Sequence, residues 1–222
     1  MTKKLTNWYK TYISSKTYTT NFLSTFSRAS NDDEKAMVLL TGELTLKRGN
    51  HMWYLWRFSR NWPSRNEILR RIKDYKLWAV SVSHLSNFED LYQFVWNTLN
   101  NPRIHQIQQL VIYDVAAHLA DLNGGHLKPK DIVYLHALPL KAAEVIQNNG
   151  FMGGVIIKAQ NPIKDLSTYF PGLPAYEIED LLCATGKSIR RVCNHKTSIL
   201  PEEVAIDAIV SKHIKNFKPI IP

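Results

Sequence analysis

The sequence predicts a mainly α-helical fold with few or no strands. Helix-start patterns recur along the chain. Proline and Gly/Asn punctuation falls where each helix would begin or stop. Apolar–polar alternation of the strand kind is scarce.

The elements follow in order. Ser30 to Glu34 brings acidic residues into a first helical turn, and the positions from Ala36 to Leu46 supply an apolar face. Ser64 with Glu67 is a capping-box spacing ahead of Ile68, Leu69 and Ile72. Ser86 with Glu89 repeats it ahead of Leu91, Phe94, Val95 and Leu99, and Pro102 closes that helix. Ile107 to Leu122 is the next helix, stopped by Asn123-Gly124-Gly125. Pro139 to Gln147, Pro174 to Ala184 and Pro201 to His213 complete the set, each with proline suited to a first turn. Two short apolar runs, Trp78 to Val82 and Val155 to Lys158, are strands or buried connectors. No repeat and no low-complexity block interrupts the chain. It reads as one α-helical domain over 1–222 with two lobes and a soft boundary near 148–162, where Gly150, Gly153 and Gly154 cluster.

A chain of 222 residues with 45% hydrophobic and 21% charged residues fits an ordinary soluble globule with a full core. The formal charge of +9 points to an anionic partner, with nucleic acid ahead of a membrane surface. Two cysteines, Cys183 and Cys193, build neither an iron–sulfur loop, a cysteine zinc site nor a disulfide scaffold, and suit a reduced cytoplasmic setting. The histidines are scattered without metal-binding spacing, so no metal and no cofactor is expected. No secretion signal and no membrane span is read from the chain.

The most informative stretch is Ile104 to Ala120. A short apolar turn around Ile104 and Ile107 runs directly into a segment rich in Ala, Val and Leu. Such an arrangement offers backbone N–H groups at a helix start to a phosphate. From Ile104 to Ala137 the chain resembles the helix-hairpin-helix DNA glycosylases. Gln106 and Gln108 stand where that family's hairpin has glycine, which lets a backbone approach a phosphate closely. Tyr134 stands at the catalytic Asp position, in Val133-Tyr134-Leu135-His136, and Asp131 is the nearest carboxylate. Leu110 occupies the place of a Schiff-base lysine, so a lyase step is not implied.

The resemblance implies a base-flipping N-glycosylase that excises a damaged or modified base, in repair or in defence against foreign DNA. Asp131 would stabilise positive charge on the sugar and orient water, with His136 and Tyr134 beside it. His105, Gln106, Gln108, Lys128, Lys130, Arg70 and Arg71 would contact double-stranded DNA. A different reading of Asp131 is a helix cap or a solvated turn residue. A second reading of the whole chain is a non-catalytic helical module that holds DNA, RNA or a protein. A third is a helical enzyme acting on a small anionic substrate.

Two further patterns stand out in the sequence. Trp53, Trp56 and Trp62 interleave with Arg57, Arg60, Arg65, Arg70 and Arg71, which suits base stacking or a core cluster beneath a basic helix. Lys73 extends that surface. Gly186-Lys187-Ser188 resembles the tail of a phosphate loop, but Leu181 replaces the first glycine and a helix precedes it.

Overall fold

Helices carry the chain in a computed structural model that describes residues 2–12, 15–45, 62–104 and 109–193. The only strands among those residues are two short segments forming one sheet. The chain divides into two compact units. A helical unit covers 16–128, and a sheet-bearing unit combines 1–15 with 129–222. The glycine-rich stretch near 148–162 lies inside the sheet-bearing unit.

The helical unit contains α2 (Ser15–Ser27), α3 (Asp32–Thr41), α4 (Trp62–Asp74), α5 (Phe88–Asn100) and α6 (Gln109–Leu122). α3 packs on α4 and α6, and α5 packs on α6. Val38, Leu39, Ile72, Leu91, Val95, Ile112, Val115 and Leu119 are fully buried there, one apolar stripe from each helix. α3 starts as its sequence predicts. The Asn31 side chain accepts from the Glu34 amide at 2.9 Å, and Glu34 reaches back to the Ser30 amide at 2.6 Å. It ends early, at Gly42, whose positive φ of 78° closes the last turn.

The other two caps differ from expectation. α5 is capped one residue later, by Asn87 on the Asp90 amide at 2.9 Å. Asparagine caps at least as well as serine, and that frame places Phe88, Leu91, Tyr92, Val95 and Leu99 on the buried side. α4 begins at Trp62, so Ser64 lies inside its first turn, and Glu67 turns forward to Arg70 and Arg71. The Trp78 segment is a 3-10 turn, Leu77–Ala79, rather than a strand.

The sheet-bearing unit contains α1 (Thr2–Tyr12), β1 (Ile132–Tyr134), α7 (Leu138–Asn148), β2 (Gln160–Pro162), α8 (Ile163–Leu166) and α9 (Ala175–Cys193). β1 and β2 are antiparallel, with Val133 opposite Asn161. Val155 to Lys158 is irregular, and β2 begins two residues after it, at Gln160. α9 packs on α7, β1 and α1 around Leu5, Trp8, Val133, Ile146, Phe170, Leu181 and Leu182.

α9 runs well past Ala184, through Gly186. A Cβ there would lie 2.8 Å from the Leu138 side chain, so glycine permits α7 and α9 to approach closely. Gly186-Lys187-Ser188 is therefore a helix-packing point, with Ser188 buried and Lys187 exposed. The expected helix from Pro201 to His213 and the tryptophans Trp53 and Trp56 lie outside the described residues.

Candidate functional site

β1 fixes the residues that the glycosylase resemblance singles out. The Ile163 amide donates to the Asp131 carbonyl at 2.7 Å, and the Leu135 amide donates to Ala159 at 2.7 Å. These bonds hold both ends of the strand. Asp131 is exposed at its entrance, beside the exposed Lys130. Val133, Tyr134, Leu135 and His136 are buried. The rings of Tyr134 and His136 lie 6.2 Å apart and tilted by 46°. The structure brings these two together beneath the surface and leaves Asp131 in solvent. Tyr134 and His136 thus support the strand from inside, where burial gives them no open face toward a substrate.

The junction from His136 into α7 carries backbone strain. Ala137 occupies the cap position with φ 48° and ψ −105°, a combination that non-glycine residues rarely adopt. Glu144 is exposed on α7, and Asp114 is half-buried on α6.

Lys128 has a different task from phosphate contact. Its ammonium lies 2.7 Å from Asp121 and donates to the Thr19 hydroxyl at 2.8 Å, while Thr19 donates to Asp121 at 3.1 Å. With Asp121 only 3% exposed, the pair ties α2 to α6 and its charge is already neutralised. One turn earlier on α6, His118 donates from Nδ1 to the Leu39 carbonyl at 2.7 Å and stacks on Phe22 at 4.4 Å.

Arg70 and Arg71 are likewise engaged. Arg70 is exposed, but its guanidinium pairs with Glu67 and Asp74. Arg71 is 5% exposed and donates to the carbonyls of Leu99 and Pro102, both at 2.8 Å, and to Glu67. A guanidinium enclosed in this way braces the end of α5 and has no phosphate-facing side. Lys73 and Lys76 pair with Asp33 and Asp32. A shallow groove of about 280 Å³ between α3 and α4, lined by Asp33, Met37, Leu69, Arg70 and Lys73, is therefore rimmed by charges of both signs. The hairpin residues His105, Gln106 and Gln108 lie outside the described residues.

Hydrogen bonds from the two arginines hold the Glu67 carboxyl down at about 2, with Arg70 contributing most. A carboxyl depressed on folding adds stability above its unfolded value, and that contribution fades as pH falls. The helical unit is expected to lose stability progressively as pH drops from about 5 toward 2. Thermal unfolding followed across that range should show the slope, and Glu67→Gln should flatten it. The carboxylate is partly solvated, so added salt should also reduce the effect.

The sheet-bearing unit distributes charge differently. Nine lysines and arginines are exposed among its described residues, against three exposed carboxylates, Asp131, Glu144 and Asp165. Tyr9 donates to Asp180 at 3.3 Å; burial, then Asp180 and Glu177, keeps its phenol protonated far above the usual range. That contact ties α1 to α9 and turns Lys3, Lys4, Asn7 and Lys10 outward. Sequence reasoning missed this cationic face because α1 was not read as a helix. Its signal was Leu5, Trp8 and Tyr9 at helical spacing.

Among the described residues no three His, Cys, Asp or Glu side chains are grouped to hold a metal ion, and no helix is long and apolar enough to cross a membrane. No known protein family, no curated protein and no solved structure matches the chain.

Proposed function

We propose that this chain binds nucleic acid, double-stranded DNA first, through the sheet-bearing unit. The observation that carries this reading is that unit's exposed surface, with nine cations against three carboxylates among its described residues. Phosphates bound there displace condensed counterions, so binding should weaken steeply as salt rises. A gel shift with a labelled duplex at low and at physiological salt tests it. Retained complex at low salt that dissolves as salt rises supports the reading. No complex at the lowest salt overturns it.

A catalytic form of the same reading makes the chain a DNA N-glycosylase acting on a damaged or modified base, with Asp131 as its carboxylate. Two observations favour Asp131 over the other acids. Its backbone is pinned at the start of β1, and its side chain is open to solvent beside Lys130. Asp121 is taken by Lys128. A bound sugar would exclude water from Asp131 and strengthen the attraction between that anion and the charge developing on the sugar. The non-catalytic module is the outcome if the protein shifts DNA and releases no base.

A further inference from the structure

We propose that α1 is the phosphate-gripping element, with Lys3, Asn7 and Lys10 forming a ladder along one strand of the nucleic-acid backbone. The proposal rests on the nucleic-acid reading above and names the surface that performs it.

Three features of α1 converge. Lys3, Asn7 and Lys10 recur at helical spacing and are all exposed. The opposite face, Leu5, Trp8 and Tyr9, is buried, so the helix cannot roll and the lysines are presented in a fixed row. At about 1.5 Å per residue that row is about 10 Å long, enough to meet successive phosphates.

The second feature is the lack of acidic partners. α1 contains no carboxylate, and among the described residues none pairs with Lys3 or Lys10. Lys10 donates to the Pro171 carbonyl at 3.0 Å, which positions its ammonium without neutralising it. Gly172 makes room, since a Cβ there would lie 2.9 Å from that ammonium. Lys73, on α4, and Lys76, just beyond it, are the contrast, each already facing an aspartate.

The third feature is a local electrostatic conflict. α3 and α5 place acids in their first turns, as the helix dipole favours. α1 has no acid in its first turn and places Lys3 there instead. An anion suits that end, because it gains from Lys3 and from the positive end of the helix together. A phosphate backbone supplies such anions in a row, and the contact carries no base information.

The test compares two double variants of the full chain that remove the same net charge. Fluorescence anisotropy with two labelled duplexes of unrelated sequence is measured over a salt series. Lys3→Gln with Lys10→Gln should weaken both duplexes alike and lower the steepness of log affinity against log salt by about 2. Lys73→Gln with Lys76→Gln should leave that slope nearly unchanged. Lys3→Arg with Lys10→Arg should retain the wild-type slope, which separates charge from any effect on folding. Equal losses in both glutamine variants, or an unchanged slope in the α1 variant while wild type binds, overturn this proposal alone. Wild type that ignores DNA yet binds phosphatidylserine vesicles overturns the nucleic-acid reading as well.

Discussion

Arg71→Ala is expected to destabilise the helical unit by about 3–5 kcal/mol. Arg71 leaves α4 as a buried guanidinium and donates to the carbonyls of Leu99 and Pro102. Leu99 belongs to the last turn of α5, where carbonyls have no partner within the helix. A cation there also suits the negative end of the helix. Alanine would strip the hydrogen bonds from these oxygens and open a cavity beneath them. Urea unfolding should show the loss as a lower midpoint. Arg71→Lys should recover only part of it, because an ammonium cannot reproduce the guanidinium fork. A variant with wild-type stability but weakened duplex binding would instead make Arg71 a phosphate ligand and refute the brace.

The same residue shows why parts of the chain were legible and others were not. Helix content could be read because the Ser30 to Glu34 stretch, Gly124 and Pro139 act through local backbone chemistry that a sequence displays directly, whereas the stop at Gly42 went unread. Cap positions slipped by a residue at Asn87 because two neighbouring polar residues can each cap, and only the buried face of α5 chooses between them. Arg71, Lys73 and Lys128 read as basic surface because a sequence lists charges without their partners. The partners Leu99, Pro102, Asp33 and Asp121 come from other elements, and tertiary packing decides whether a cation is available. α1 illustrates the reverse case. Thr2, Thr6 and Thr11 lower its intrinsic helix propensity, so the Leu5, Trp8 and Tyr9 stripe was the usable signal, and packing against α9 supports the helix. Gly186-Lys187-Ser188 resembles the tail of a phosphate loop, whereas the missing side chain of Gly186 serves the contact with Leu138.

Asp131→Asn is expected to abolish release of free base from a susceptible duplex while leaving duplex binding nearly intact. The substitution removes one negative charge and scarcely changes volume. The Asp131 backbone bond to Ile163 does not involve the side chain, so β1 should keep its register. Loss of one electrostatic group at a reacting centre typically costs about 3–4 kcal/mol of transition-state stabilisation, roughly a hundred- to thousand-fold in rate. The measurement needs a panel of duplexes carrying damaged and modified bases, with released base followed by mass. Stability should be unchanged or slightly raised, since the exposed Asp131 carboxylate, with no ion pair among the described residues, contributes little to folding. Activity that survives the change would move the catalytic carboxylate to another acid, with half-buried Asp114 the first to replace. Wild type that binds duplex and releases nothing across the panel would assign the cationic surface to binding alone. Asp131 would then be a solvated residue at the entrance of β1, and the strand, the strained Ala137 and the buried Tyr134–His136 pair would serve the fold of the sheet-bearing unit.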